Sequence, residues 1–402
     1  MPPSVDWSAL RGRFTIPPDT IYLDGNSLGL PCRDAEAALR QALDAWRSHG
    51  IAGWFGGERP WLAMAREVAT LTAPLVGAEP TDVIATGSVT VNLHQGLSTL
   101  FKPDGERRRI VLDDTAFPTD SYAVASHLRL RGLDPADDLV RVPAGPDGFL
   151  EESDLIDAIE RPDVAAAVLP VVVYSTGQLI DVERVTAAAR RAGVVVLWDA
   201  SHAVGSVPLK LNDWGCDYAV WCGYKYLNGG PGCVAGLFRH ARHAKSAPGL
   251  AGWFGSSEKS MFAMPSDLDP ADDAGRLQLG TPHVLSLAPL LGSLRPFAEV
   301  GMDAIRARSL ELTSHLLKAF DRRLSAYGFT LKTPRSPDRR GGHITLRHPS
   351  AKCLVDRLAE HAVVLDYREP SLIRVAPAAL YNTIEDIDRF IVLATGLISE
   401  EE

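Results

Sequence analysis

Short apolar runs alternate with stretches of helical length through the middle of the chain. The runs at residues 165–169 and 194–198 flank an Ala- and Arg-rich stretch at residues 180–192 that has the length of a helix. Apolar runs that are buried on both faces and separated by helices are typical of a mostly parallel sheet with helical crossovers. Residues 83–85 and 109–112 are predicted as further strands of that sheet. In such a sheet, ligands bind at the carboxyl ends of the strands.

A different pattern begins near residue 290. The predicted elements there are helices at residues 284–300 and 302–327, short strands at 342–346, 363–367 and 372–375, and a closing helix at 384–397. This mixture predicts a smaller α+β domain. We therefore expect an α/β protein with a large, mostly parallel sheet domain at residues 51–290 and a smaller C-terminal domain at residues 291–402. An N-terminal segment, residues 1–50, is expected to pack with the small domain.

The composition is that of a folded globular protein with an excess of acidic residues. Of 402 residues, 46% are hydrophobic and 23% are charged, and 41 Lys and Arg against 50 Asp and Glu leave a net charge of −9. Because nucleic-acid binding needs a basic excess, DNA and RNA are not expected as partners. The longest apolar run, residues 164–174, is too short to cross a bilayer, so no membrane partner is expected. The N-terminus has neither a basic start nor an apolar stretch, which favours a cytoplasmic protein.

The five cysteines do not form a metal-binding pattern. No pair has the CxxC spacing, and Cys216 and Cys222 are separated by a spacing that is unusual for metal ligands. Reduced, mostly buried thiols and no bound metal are therefore expected.

The most informative segment joins a carboxylate at a strand end to a downstream lysine. Asp199 ends an apolar run, where a buried carboxylate costs free energy unless it is paired. Lys225 follows in an aromatic and Gly-rich context, and burial lowers the pKa of a lysine and makes its amine a better nucleophile. A pyridoxal phosphate site requires such a pair, since the carboxylate keeps the pyridine nitrogen protonated and the lysine holds the aldehyde. The alternative is a structural ion pair with a surface lysine.

Residues 85–94 contain a candidate phosphate site. They follow the predicted strand at 83–85 and open a helical pattern, so backbone N–H groups and the Thr90 hydroxyl are placed where a helix N-terminus binds an anion. The alternative is an ordinary helix N-cap at Ser88 or Thr90.

Six blocks of sequence carry a family resemblance that spans almost the whole chain. They lie at residues 23–29, 57–61, 89–94, 199–232, 252–255 with 280–282, and 373–377 with 380–382. The most specific are Asp-Gly-Asn-Ser-Leu-Gly at residues 24–29 and Tyr-Lys-Tyr-Leu-Asn at residues 224–228. Together they resemble the kynureninases, fold-type I pyridoxal phosphate enzymes of the aspartate aminotransferase superfamily. The resemblance implies that fold, pyridoxal 5′-phosphate as cofactor, and hydrolysis of L-kynurenine or a ring-substituted kynurenine to an anthranilate and L-alanine.

The resemblance also implies catalytic roles for four residues of this sequence. Lys225 resembles the lysine that binds the cofactor aldehyde, and Asp199 resembles the partner of the pyridine nitrogen. Tyr224 resembles a phosphate ligand and is our candidate for a proton relay. His202 lies in the family's Asp-x-x-His pattern, beside the cofactor, and is expected to orient its ring.

Further binding residues follow from the same resemblance. Those implied for the cofactor are Val89, Thr90, Phe117 and Asp120, together with Trp253 and Thr281, which are implied to reach in from the second subunit of an obligate homodimer. Arg374 resembles the arginine that holds the substrate α-carboxylate, for which a bidentate guanidinium is suited. Asn26 and Ser27 are predicted to bind substrate beside it.

Two other functions fit the same residues. A cysteine desulfurase-like enzyme, or another β-eliminating lyase of the same fold, needs a thiol on a mobile loop, and Cys353 lies at a plausible distance along the chain. However, residues 351–355 have the pattern of a buried helix start, which favours a buried thiol. A catalytically silent pyridoxal-binding or regulatory protein is disfavoured because the implied catalytic residues are all present.

Overall fold

The computed structural model describes residues 5–399. Its helices are α1 (Trp7–Arg11), α2 (Arg33–His49), α3 (Met64–Val76), α4 (Val89–Leu100), α5 (Pro118–Leu130), α6 (Pro135–Asp138), α7 (Glu152–Ile159), α8 (Val182–Ala192), α9 (Val284–Ser293), α10 (Arg295–Val300), α11 (Met302–Arg322), α12 (Ala351–Glu360) and α13 (Ile384–Ser399). Its strands are β1 (Ile21–Tyr22), β2 (Val83–Ala85), β3 (Arg109–Asp113), β4 (Leu139–Val142), β5 (Val164–Pro170), β6 (Val195–Asp199), β7 (Tyr218–Trp221), β8 (Gly236–Arg239), β9 (Thr330–Leu331), β10 (Ile344–Arg347), β11 (Val363–Val364), β12 (Asp366–Arg368) and β13 (Leu372–Val375).

A seven-stranded sheet in the order β2-β8-β7-β6-β5-β3-β4 forms the centre of the larger region. Its strands are parallel except for β8, which runs antiparallel to both of its neighbours. Every residue of β5 is buried, as expected for a strand covered by helices on both faces. The predicted α/β architecture with a large, mostly parallel sheet is therefore confirmed.

The crossover helix α8 shows how the local sequence fixes one of these connections. Asp181 caps its start by accepting a hydrogen bond from the backbone N–H of Arg184. Gly193 ends the helix with a φ of 65°, a left-handed conformation that glycine adopts without strain. The chain then enters β6, whose last residue is Asp199. These two caps place the carboxylate of Asp199 at the edge of the sheet.

The C-terminal region contains a second sheet and a second apolar core. Strands β12-β13-β10-β9 form an antiparallel sheet, and β1 pairs in parallel with β11. Ile21 and Leu23 join the C-terminal core, together with buried residues of α11, α12 and α13. The beginning of α2 packs instead in the core of the large sheet, through Cys32 and Ala35. The domain boundaries remain a prediction.

Two predicted elements are each divided in the structure. The helix expected at residues 284–300 is present as α9 and α10, which meet at Leu294. Pro296 has no backbone N–H and does not continue the hydrogen-bond ladder of α9. The strand expected at residues 363–367 is present as β11 and β12, which pair with β1 and β13 in different sheets.

The prediction of a buried Cys353 is wrong. Cys353 is exposed on α12. The buried residues of this helix are Ala351, Leu354, Val355 and Leu358, a spacing that lines one face. Cys353 falls outside that face, so its thiol reaches the surface. The remaining cysteines are buried, as predicted: Cys32, Cys216, Cys222 and Cys233.

Candidate active site

A cavity of about 240 Å³ lies at the carboxyl edge of the large sheet. Its walls come from the segments that follow β1, β2, β3, β6 and β7, and from β12 and β13 of the second sheet. This location agrees with the expectation for a mostly parallel sheet. The predicted site residues that line it are Asn26, Ser27, Val89, Thr90, Phe117, Asp199, His202, Tyr224, Lys225 and Arg374.

Lys225 extends into the cavity between a histidine and an aromatic ring. Its Nζ lies 2.8 Å from Nε2 of His202 and 5.9 Å from the centre of the Phe117 ring. Lys225 is half-buried, whereas His202 is buried. Burial, followed by the nearby charge of Lys225, holds the pKa of His202 well below its usual value. The imidazole is therefore neutral at neutral pH and is available to accept a hydrogen bond from Lys225.

Three buried carboxyl groups lie near one another on the sheet side of the site. Asp199 accepts a hydrogen bond from the backbone N–H of Ser201 at 2.8 Å. Asp120, in the first turn of α5, lines a small adjoining cavity together with Asp199 and His202. Burial raises the pKa of Asp120 well above its usual value, and the charges of Asp199 and Asp113 add to that effect. This cluster favours a cation or a protonated nitrogen in front of it.

The opposite end of the cavity is the N-terminus of α4. Ser88 is the N-cap residue, and its Oγ accepts a hydrogen bond from the backbone N–H of Val91 at 3.3 Å. The hydroxyls of Thr90 and Thr119 are hydrogen-bonded to each other at 2.8 Å. The structure thus confirms the N-cap at Ser88, and it also places Val89 and Thr90 on the cavity wall. A helix start with adjacent hydroxyls is suited to hold a phosphate.

Tyr224 lines the same cavity as this helix start and Asp199. Its pKa is raised, first by burial and then by the Cys222 thiol and the charge of Asp199. The hydroxyl therefore keeps its proton at neutral pH and can donate it.

Arg374 is buried on β13 and is held by three hydrogen bonds. Its Nε donates to Asp366, Nη1 donates to the carbonyl of Tyr174 at 3.1 Å, and Nη2 donates to the hydroxyl of Ser27 at 3.2 Å. The neighbouring Asn26 is fully buried, and its side-chain nitrogen and oxygen have no hydrogen-bond partner within residues 5–399. A buried amide without a partner on the wall of a cavity is suited to bind a polar ligand.

Trp253 and Thr281 occupy a different place from the other predicted residues. Among the described residues, neither belongs to the set that lines the cavity. Thr281 is exposed, and 45% of the Trp253 side chain is exposed. Their predicted contribution from a second subunit therefore stays a prediction.

Several lining residues were not predicted from the sequence. Ser201 lies within the block at residues 199–232, and Thr119 lies between the predicted residues Phe117 and Asp120. Their hydrogen bonds, to Asp199 and Thr90, depend on backbone geometry that no spacing reveals. Arg368 lies next to the predicted strand at residues 363–367 and lines the cavity. An arginine near a strand end does not by itself indicate a binding site. Cys222 and Cys233 line the cavity as buried thiols.

The donor set of the cavity fits pyridoxal phosphate. The cavity offers an amine for the aldehyde, and a strand-end carboxylate with a buried carboxyl beside it for the pyridine nitrogen. It also offers an aromatic ring for the cofactor ring and a helix N-terminus for the phosphate. The buried Oδ1 of Asp120 has no hydrogen-bond partner in the described part of the chain, so that face of the site has an unused acceptor.

The described residues include neither a cluster of metal-ligating side chains nor a membrane-spanning helix. Within residues 5–399, no group of three or more His, Cys, Asp or Glu side chains is arranged to hold a metal ion. No described helix is long and apolar enough to span a bilayer.

Two family models and several curated proteins match this chain. The Kynureninase C-terminal domain matches residues 305–393, and the DegT/DnrJ/EryC1/StrS aminotransferase family matches residues 70–209. The Kynureninase of Geobacillus thermodenitrificans is 46% identical over 392 residues, which cover 98% of this chain and 91% of that protein. The Kynureninase of Shouchella clausii is 44% identical over 391 residues, covering 97% and 91% of the two chains.

Solved structures with the same fold are more distant in sequence. The apo cysteine desulfurase from Thermococcus onnurineus has a TM-score of 0.81 at 16% identity, with 98% of both chains covered. A mutant of C-DES with glycine covalently linked to its PLP cofactor has a TM-score of 0.82 at 18% identity, with 97% of this chain and 99% of that chain covered. At these identities the likeness shows the fold alone.

Proposed function

The chain belongs to the kynureninase family of pyridoxal phosphate-dependent enzymes, and we propose that the cavity at the sheet edge is where it hydrolyses L-kynurenine, or a ring-substituted kynurenine, to an anthranilate and L-alanine. The observation that carries this assignment of the site is the convergence of Lys225, Asp199 and Arg374 on one cavity. When bound, pyridoxal phosphate links covalently to an amine and withdraws electrons from the carbon beside it.

Four parts of the site would hold the cofactor. Lys225 would bind the aldehyde, and Asp199, at the end of β6, would keep the pyridine nitrogen protonated. Phe117, which is 38% exposed, would stack on the cofactor ring. The N-terminus of α4 with Thr90 would bind the phosphate. His202, neutral and 2.8 Å from Lys225, orients the amine and the ring.

Arg374 orients the substrate. Its Nε is bound to Asp366, and at the other end of the guanidinium Nη1 and Nη2 each keep one N–H for a ligand in the cavity that Arg374 lines. A carboxylate that meets this end forms two charge-assisted hydrogen bonds. With the α-carboxylate fixed there, the α-carbon is carried toward Lys225, and Asn26 and Ser27 border the bound carboxylate.

Two side chains move the protons of the reaction. Lys225 removes the proton from the substrate α-carbon and returns a proton to that carbon before alanine leaves, because its Nζ is the amine that lines the cavity. Water then adds to the ketone carbon, and the bond between that carbon and Cβ breaks. The oxygen of water stays with the acyl product, which leaves as the carboxylate of anthranilate. Cβ keeps the electron pair and takes up a proton from the Tyr224 hydroxyl, which its raised pKa keeps protonated. Tyr224 regains its proton from the two that the added water releases, and the second of these goes to solvent.

We propose a homodimer, which an exposed aromatic surface supports, defined here as Phe55, Trp253 and Phe262. Their exposed fractions are 62%, 45% and 46%, and Phe262 packs against both others at ring distances of 5.2 and 5.9 Å. Exposed aromatic rings in mutual contact favour a protein interface. In a two-fold homodimer this surface brings Trp253 and Thr281 to the partner's cavity.

The cellular setting follows from the substrate. Kynurenine is a breakdown product of tryptophan, and we assign the enzyme to tryptophan catabolism in the cytoplasm.

A substrate panel tests the proposed function. The holoenzyme is incubated with L-kynurenine, 3-hydroxykynurenine, other ring-substituted kynurenines and L-cysteine, and the products are identified by mass. We expect alanine and the matching anthranilate in a one-to-one ratio from at least one kynurenine. Release of alanine and sulfide from cysteine, without turnover of any kynurenine, would contradict this function and show that the protein is a desulfurase.

The desulfurase remains the second candidate because of one observation. Cys353 on α12 is an exposed residue, contrary to expectation. If this thiol carried sulfur, Cys353→Ser would abolish sulfide release, whereas kynurenine hydrolysis does not need it. We expect Cys353→Ser to keep full activity on the preferred kynurenine.

A further inference from the structure

Two arginines of the second sheet are tied to one carboxylate at the wall of the cavity. Asp366 of β12 is directly opposite Arg374 of β13, and Arg368 lies two residues further along β12. Residues two apart in a strand share a face, so the three side chains meet. Nε of Arg374 and Nε of Arg368 both donate to Oδ2 of Asp366, the second at 2.9 Å.

The donors of Arg374 are largely used within the protein. A guanidinium has five N–H groups. Three of those of Arg374 are bound to Asp366, Tyr174 and Ser27. Two remain for a ligand, one on each Nη, whereas a carboxylate has about four acceptor positions. A substrate carboxylate bound by Arg374 therefore keeps acceptor positions that Arg374 does not fill.

Arg368 is placed to fill them. It lines the same cavity, and 39% of its side chain is exposed, in contrast to the buried Arg374. Its Nε is held by Asp366, which leaves the Nη groups at the far end of the guanidinium. The positive charge of Arg368 also adds to the stronger effects of burial and of Lys225 that lower the pKa of His202, so this charge acts on the interior of the site.

We propose that Arg368 is a second substrate-binding residue, which binds the α-carboxylate together with Arg374 and thereby selects amino acids over amines. This inference rests on the proposed function, because it takes the ligand of Arg374 to be the substrate carboxylate. Asp366 is the positioning residue of the pair, since it holds both Nε groups and directs the two Nη ends to the same carboxylate.

Binding to the holoenzyme separates this role from a structural one. The probes are L-kynurenine and kynuramine, the same compound without the α-carboxylate, and the readout is the change in cofactor absorbance when either amine binds. We expect Arg368→Gln to weaken the binding of kynurenine by about 10- to 100-fold, the usual range for a hydrogen-bonded charge. Kynuramine binding should change less than about twofold, since no carboxylate is lost. Arg368→Lys keeps the charge and should lie between.

A matched control is Arg347→Gln. Arg347 is an exposed arginine of β10 in the same sheet, bound to Ser371 through its Nε, and it is outside the cavity lining of the described chain. Both probes should bind this variant as they bind the wild type.

Each result has a distinct meaning. Equal weakening of both probes by Arg368→Gln would overturn the inference, because Arg368 would then only support the wall. Unchanged binding of both probes would overturn it as well. If the wild type released anthranilate from kynurenine in either case, the proposed function would stand. A wild type that bound kynurenine no better than kynuramine and released no anthranilate would overturn both.

Discussion

Asp113 is a buried carboxyl group whose replacement by Asn should destabilise the protein at low pH and stabilise it at high pH. It is the last residue of β3 and is fully buried. Its Oδ1 accepts a hydrogen bond from the Thr115 hydroxyl at 2.6 Å, and its Oδ2 has no partner within residues 5–399. Burial raises the pKa of Asp113 from 3.8 to about 6, although the hydrogen bonds from Thr115 lower it.

The magnitude follows from the difference between the folded and unfolded pKa. A carboxyl with a raised pKa in the folded state stabilises the protein most below the unfolded value, and that stabilisation is lost as the pH rises through the folded value. A difference of about two pH units corresponds to about 3 kcal/mol. Asn in place of Asp113 retains the acceptor for Thr115 and does not ionise. It buries an amide NH2 without a partner, one N–H more than the single O–H of the protonated carboxyl, which costs about 1 kcal/mol at every pH.

Urea unfolding of cofactor-free wild type and Asp113→Asn at pH 4 and pH 8 measures the effect. We expect the variant to be less stable by about 0.5 kcal/mol at pH 4, where the wild type has already lost part of this contribution, and more stable by about 2 kcal/mol at pH 8. Asp114→Asn, at the exposed neighbour, is the control and should show no such reversal. A difference between wild type and Asp113→Asn that is the same at both pH values would refute the reasoning.

Three further predictions concern the cofactor and the assembly. Borohydride reduction of the holoenzyme should fix the cofactor mass on the peptide that holds Lys225, and labelling at Lys210 or Lys245 instead would contradict the assignment. The Lys225→Ala variant should bind the cofactor without that covalent link and lose turnover. Asp199→Asn keeps the size of the side chain but removes its charge, so kcat should fall by roughly a thousandfold, about 4 kcal/mol, and near-native kcat would show that the charge is not needed. Co-expression of Lys225→Ala with Trp253→Ala should recover about a quarter of native activity per protomer, since half of the dimers are mixed and each mixed dimer has one intact site. If verified heterodimers are as inactive as both parents, Trp253 does not contribute to the partner's site.

Much of the large sheet could be predicted because its strands are continuous apolar runs. Every residue of β5 is buried, so its sequence contains no polar interruption that hides the strand. The short strands near the C-terminus were harder to predict, because β11 and β12 are adjacent in sequence yet pair with different sheets. Cys353 was misplaced because a helix buries one face only, and the apolar residues around it lie on that face.

The site itself was predictable where chemistry depends on residue type. Asp199 and Lys225 were identified because burying a carboxylate or an amine in apolar surroundings costs free energy unless the group is paired. Arg368 and Ser201 were missed because their places in the site come from strand register and a backbone turn. Trp253 and Thr281 depend on a second subunit, which a single chain does not display.

The central claim is that water cleaves the bond between the ketone carbon and Cβ of a kynurenine. The most direct measurement is turnover of L-kynurenine, or of the preferred kynurenine, by the holoenzyme in ¹⁸O-labelled water, with mass analysis of both products. The account predicts alanine and the anthranilate in equal amounts, with ¹⁸O in the anthranilate carboxylate and none added to alanine within the time of the reaction. Alanine without an anthranilate, or an anthranilate carboxylate without ¹⁸O, would contradict it.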